Sequence, residues 1–145
     1  EYMRQALELA RLAMAEGEVP VGCVIVRDGA VVGRGRNRRE TAQTALGHAE
    51  LEAIAQACRT LGGWRLAGCA LYVTLEPCPM CAGAIVNARI PAVYYGAKDD
   101  KAGCCGSVLN LFEERYGHHP AIYGGVLADD CADVLRAFFS GLRET

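Results

Sequence analysis

A chain of 145 residues with 52% hydrophobic and 22% charged residues is long enough to bury one core and too apolar for a disordered linker. Its longest apolar stretches, 19–26 and 67–75, fall short of the ~18 residues that suggest a membrane span. A net charge of −2 excludes nucleic-acid binding through bulk positive charge and leaves local patches or base contacts.

Residues 1–16 place Met3, Leu7, Ala10 and Met14 at helical spacing among charged residues, and Gly17 closes the segment. That pattern is an amphipathic helix and not a signal peptide. The chain opens on Glu1 without a Met, which leaves room for residues before it. The β-branched run 21–26 predicts a strand buried on both faces. Asp28-Gly29 predicts a tight hairpin into a returning strand over 30–35. A polar stretch over 36–46 leads to a helix over 48–61, ended by Gly62-Gly63. Strands are expected at 69–74, 92–96 and 121–123, and a short helix at 77–88, where Pro suits a first turn. Residues 98–107 form a Gly- and Cys-rich loop, and 108–115 is expected to be helical. A closing helix over 129–142 begins with acidic residues, which suits its dipole. A hairpin followed by alternating helices and strands predicts an α/β fold, a mixed five-stranded sheet covered by helices on both faces.

Eight cysteines in 145 residues lie below the roughly 8–10% of disulfide scaffolds. With adjacent Cys104 and Cys105 and no secretion signal, most read as reduced thiols of a cytoplasmic protein. Cys78 and Cys81 differ, because Cys-x-x-Cys at a helix start puts two thiols about one turn apart, where the dipole favours thiolates. His48, at the start of another predicted helix, can add a neutral imidazole nitrogen. Three such ligands suit Zn²⁺ and leave its fourth position to water, as in catalytic zinc sites. Glu50, two residues from His48, can carry protons between that water and a substrate nitrogen.

Plainer readings compete. Cys78 and Cys81 alone fit a redox pair, and a structural Cys₃His site could recruit Cys104 or Cys105. Glu76 is a rival carboxylate whose ordinary task is to accept hydrogen bonds at the helix start. His-x-Glu together with Pro-Cys-x-x-Cys shifts the balance, since zinc nucleobase deaminases carry this combination.

The stretches Gly47-His48-Ala49-Glu50, Tyr72 through Ile85, Gly96-Ala97-Lys98-Asp99, Gly106-Ser107 and Gly125 through Cys131 carry a resemblance over nearly the whole chain. The chain resembles the bacterial tRNA-specific adenosine deaminases, with the three-layer cytidine deaminase-like fold. The resemblance implies a single zinc-dependent deaminase domain over 1–145 and conversion of adenosine to inosine at the wobble position of a tRNA anticodon stem-loop. It also implies a homodimer with one Zn²⁺ per subunit. It assigns His48, Cys78 and Cys81 as ligands and Glu50 as proton carrier. Asn37, Val19, Pro20, Leu75 and Ala49 become base-pocket residues, and Asp99, Lys101, Phe139 and Arg143 become RNA contacts. Two departures stand out. Thr44-Ala45-Leu46-Gly47 replaces the Asp-x-Thr-Ala sequence frequent before the zinc His, and Ser140-Gly141-Leu142 delays the basic residue after Phe138-Phe139 to Arg143.

Arg34, Arg36, Arg38 and Arg39 form a basic cluster beside Asn37, suited to phosphates or simply to a solvated strand end. His118 and His119 lack a carboxylate or Cys at ligand spacing and read as loop residues. Two rivals remain: a deaminase of a free base or nucleoside, guanine or cytosine/cytidine in type, sharing every ligand, and a non-catalytic zinc-stabilised RNA-binding module, which would need no Glu50.

Overall fold

A computed structural model describes residues 1–144, with side chains through Leu142. The order is α1 (Tyr2–Ala15), β1 (Gly22–Arg27), β2 (Ala30–Arg36), α2 (Ala49–Leu61), β3 (Cys69–Leu75), α3 (Pro79–Asn87), β4 (Ala92–Ala97), β5 (Ala121–Tyr123) and α4 (Ala128–Glu144). Asp28 and Gly29 both adopt positive φ, 52° and 77°, the backbone that an Asp-Gly hairpin turn requires. β1 therefore folds back antiparallel on β2, and the sheet runs β2-β1-β3-β4-β5. β1 is also antiparallel to β3, whereas β3, β4 and β5 are mutually parallel. The expected mixed five-stranded α/β sheet is the observed one.

Side-chain alternation divides two cores. Cys23, Ile25, Leu71 and Val73 meet Ala53 and Ala57 of α2 and Ile85 of α3 on one face. On the other, Met3, Ala6 and Leu7 of α1 join Ala97 and, from α4, Cys131. Small residues let the layers approach. A Cβ at Gly22 would lie 1.9 Å from the Ala6 carbonyl oxygen, and one at Gly35 would lie 2.1 Å from that of Ala49. Tyr72, Tyr94 and Tyr123 stack across β3, β4 and β5 at 4.4 and 4.6 Å between ring centroids.

Two expectations change. Residues 108–115 do not form a helix beyond a single 3-10 turn, Leu111–Glu113. Val108 N–H donates to Gly103 O and Leu111 N–H to Cys104 O, so the backbone pairs with the preceding loop instead of along a helix. α3 begins at Pro79, not Pro77, because Cys78 is extended at the N-cap and the Pro77 carbonyl accepts from Cys104 N–H at 2.8 Å. Among the described residues, no helix is long and apolar enough to cross a membrane. All eight cysteines are free, and Cys23, Cys69, Cys81, Cys104, Cys105 and Cys131 are buried.

Candidate active site

Two helix N-termini converge beyond the carboxyl end of β3. His48 is the N-cap of α2, and Cys78 the N-cap of α3, with Pro79 in its first turn. Both caps have extended backbone (ψ of 148° and 174°), which turns their side chains back across the helix ends. Cys81 lies in the first turn of α3. His48 Nδ1 stands 3.6 Å from Cys78 Sγ and 3.5 Å from Cys81 Sγ. The three ligand atoms all lie within 4.8 Å of one another, the group among the described residues that could hold a metal ion. Cys104 and Cys105 do not join it, which removes the observation a Cys₃His site would need. One imidazole and two thiols at two positive helix ends are chemically suited to Zn²⁺, with three protein ligands and an open position.

The charges agree with this arrangement. Hydrogen bonding from Cys81, and then from His48, holds Cys78 down to about 4, so that it is a thiolate at neutral pH. The shared proton and burial push Cys81 far up. The bond to Cys78 pushes His48 up despite burial. Glu50 is 4% exposed, and burial pushes its carboxyl up to about 7. A group titrating there can take and return protons near neutral pH.

His48, Cys78 and Glu50 line a pocket of about 160 Å³, and Cys81 is buried beside them. Of the residues anticipated for base binding, Asn37, Val19, Leu75 and Ala49 line it. Pro20 is buried beside Val19 and does not line it, because Val21 takes the next place on the wall. Asp99 lines the same pocket, but its Oδ1 accepts from the N–H groups of Lys101 and Ala102, each at 3.1 Å. Lys101 and Phe139 lie apart, in a groove formed with Leu135, Arg136, Ser140 and Leu142 of α4. The Arg143 side chain lies outside the described residues.

Three further residues line the pocket: Val21, which sequence reasoning overlooked, and Arg39 and Glu76, which it named in the basic cluster and as the rival carboxylate. Strand alternation could have found Val21, two residues on from Val19. Glu76 is 2% exposed and accepts from the backbone N–H of Asp99, Cys105 and Ser107 and from the Ser107 hydroxyl. With its oxygens so occupied it organises the 98–107 loop. The Asn37 side chain is also engaged. Its Nδ2 donates to Val19 O at 3.1 Å and its Oδ1 accepts from Arg39 N–H at 3.2 Å. His118 and His119 bond to the carbonyls of Ile90 and Phe112 and belong to no ligand group among the described residues.

The comparisons with known proteins agree with the geometry. A model of the MafB19-like deaminase family matches residues 1–143. The tRNA-specific adenosine deaminase of Bacillus subtilis (strain 168) is 49% identical over 144 residues, covering 99% of this chain and 89% of the relative. A solved structure from work on A-to-I editing by tRNA:A34 deaminases at the wobble position superposes with a TM-score of 0.89 at 45% identity, covering 92% of this chain and 98% of that one. The guanine deaminase of Bacillus subtilis is more distant, with a TM-score of 0.66 at 33% identity, covering 99% of this chain and 92% of that one. The chain is an enzyme of the MafB19-like deaminase family, and within it belongs with the tRNA-specific adenosine deaminases.

Proposed function

We propose that this enzyme deaminates adenosine to inosine hydrolytically at the wobble position of a tRNA anticodon loop, using one Zn²⁺ per subunit. The observation that carries the reading is a buried carboxylate, Glu50, beside a His-Cys-Cys group at the floor of a base-sized pocket. His48, Cys78 and Cys81 would hold the metal, which supplies Lewis acidity and lowers the pKa of water.

The chain's own residues supply the rest. Glu50 takes a proton from the attacking water and gives it to the ring nitrogen next to the reacting carbon; it then takes the proton of the newly added hydroxyl and gives it to the amine, which leaves as ammonia as the C–N bond breaks and the C=O bond forms. Val19, Leu75 and Ala49 sandwich and exclude water from a flat ring. Asn37 spends one amide hydrogen on Val19 O and one lone pair on Arg39 N–H, which leaves a second hydrogen and a second lone pair to pair with a purine edge in the pocket it lines. A pocket of about 160 Å³ takes a base and not a stacked helix, so the nucleotide must leave its stack, as loop nucleotides readily do. Phe139 and Lys101 in the α4 groove and Asp99 in the pocket wall are proposed contacts to flanking nucleotides, as is Arg143.

A homodimer fits the surface around α3. Exposed Trp64 borders one depression beside α3 with Ile54, Ala84 and Ala88, and exposed Tyr116 borders another with Gly83, Val86 and Leu111. Apolar depressions flanking a small-residue helix suit a second copy related by a twofold axis. Eight free cysteines suit the reducing cytoplasm.

The test is an anticodon stem-loop with a wobble adenosine, incubated with zinc-loaded enzyme beside guanine and cytidine. Inosine in the stem-loop is the expected product. Ammonia from guanine or cytidine with no inosine would transfer the site to the free-base reading.

A further inference from the structure

The 37–47 loop forms one wall of the pocket, yet residues 39–46 are all exposed and the loop has no hydrophobic anchor of its own. Its backbone bonds are mostly internal: Arg38 N–H to Gly47 O, Ala42 N–H to Arg38 O, and Thr44 N–H to Arg39 O. At its base, Asn37 N–H donates to Val21 O at 3.0 Å and Arg38 lies near Glu52; the further ties to the body come from a consecutive pair of residues after α1. Val19 O accepts from Asn37 Nδ2. Glu18, 1% exposed, accepts from Glu40 N–H at 3.1 Å, from Thr41 N–H at 2.6 Å and from the Thr41 hydroxyl. A buried carboxylate is costly unless its lone pairs are filled, and here the loop fills them.

The loop carries Arg39 to the pocket rim. The other arginines of the cluster are paired or lie away from the pocket. Arg36 makes two hydrogen bonds to Glu16, at 2.7 and 3.0 Å, and Arg38 lies 3.8 Å from Glu52. Arg34 donates its backbone N–H to Gln56 from within β2, away from the pocket. Arg39 alone of the four lines the pocket, and it has no acidic partner among the described residues. A neutral base brought into this pocket arrives on an anionic backbone, and a free guanidinium at the rim matches a phosphate.

We propose that Glu18 is a positioning residue for an RNA substrate: its buried carboxylate fixes the 37–47 loop so that Arg39 meets a phosphate flanking the extruded nucleotide. The proposal rests on the RNA reading given above. Arg39 is the binding group, and Glu18 acts only through it. Without Glu18 the amides of Glu40 and Thr41 turn to water, the loop samples many positions, and the phosphate contact is diluted.

The test is binding of a fluorescent anticodon stem-loop across a salt series, with inosine formation followed in parallel, for zinc-loaded parent, Glu18→Gln, Arg39→Ala and the double variant. Glu18→Gln keeps side-chain volume but replaces one accepting oxygen by an NH₂ facing an N–H donor. Thr41→Val removes the hydroxyl of the same contact from the exposed side and serves if Glu18→Gln does not fold. Each single variant is expected to weaken binding about three- to tenfold. Loss of one phosphate contact should also reduce the slope of log K against log salt by ~0.7, the single-strand value. The double variant should bind no more weakly than Arg39→Ala. Additive losses, or a parent-like salt slope in Glu18→Gln and Thr41→Val, would overturn the proposal. A parent that binds the stem-loop but forms no inosine contradicts the deamination reading alone, and the binding comparison still decides this one. A parent with no salt-dependent binding overturns both.

Discussion

His48 and Cys81 are separated by 33 residues in the chain, and their ligand atoms stand 3.5 Å apart where two helix ends meet. Neither helix end has a side-chain cap hydrogen bond. A metal ion held there therefore ties α2 to α3 as well as serving chemistry. Chelation of zinc should lower the melting temperature and abolish deamination together, and Cys81→Ala should do the same because ligand loss couples to folding. Zinc content and thermal melting on parent and variant check this. A chelated protein melting as the parent does would mean that the ion does not bridge the helices.

Glu76 holds the 98–107 loop as Glu18 holds the other. Its partners include the N–H of buried Cys105 at 2.9 Å. Ser107→Ala removes one hydroxyl donor to an ionised acceptor and should cost about 1.5–3 kcal/mol. Glu76→Ala should cost more, since several N–H groups lose their acceptor at once. Denaturant unfolding of both variants measures the order; an equal, small effect would show that water substitutes freely.

Acid should loosen both loops. Burial pushes Glu18 and Glu76 up, but the hydrogen bonds outweigh it, those of Thr41 and Glu40 at Glu18 and those of Ser107, Asp99 and Cys105 at Glu76. Both carboxyls stay below the ordinary Glu value of 4.5. The folded state thus binds these protons less readily than the unfolded chain. The stabilisation is complete above that value and disappears as pH falls through the lower folded values. At saturating zinc, the stability gap between parent and Glu18→Gln should close on acidification. A gap that widens instead would contradict the assignment.

The glycines of β1 and β2 set how closely the helices lie. Gly22→Ala would drive a methyl into the Ala6 carbonyl and Ala10 amide of α1. Overpacking of this kind typically costs about 1–3 kcal/mol, and more where backbone must move. Gly83, with open space around its Cβ position, provides the control: Gly83→Ala should leave the isolated subunit's stability unchanged or raised. Equal losses at the two positions would contradict the close approach of α1.

The strands and the hairpin were legible because each depends on short-range rules, β-branched runs and Asp28-Gly29, and the His48-Cys78-Cys81 group because a two-part motif marks it although its halves lie 30 residues apart. The 108–115 segment was not, since its helical composition lost to bonds with Gly103 and Cys104 that no periodicity reveals. Pro77 misled for a related reason, its carbonyl being claimed by Cys104. The cluster beside Asn37 was legible, but not which of its four arginines lines the pocket, nor the burial of Glu18. A buried carboxylate looks in sequence like any surface Glu until the loop 22 residues away folds over it. The groove holding Lys101 and Phe139 shows the limit from the other side. Resemblance marked the residues, whereas the structure sets them beside α4 and apart from the pocket wall.

The central claim is that Glu50 carries protons in a site whose metal it does not hold. Glu50→Gln leaves the three ligands and the buried volume in place. The decisive measurement is single-turnover inosine formation on the anticodon stem-loop, with zinc content determined on the same sample. The account predicts full zinc occupancy with a rate reduced by at least ~10²-fold. Parent-like inosine formation in the zinc-loaded variant would contradict it.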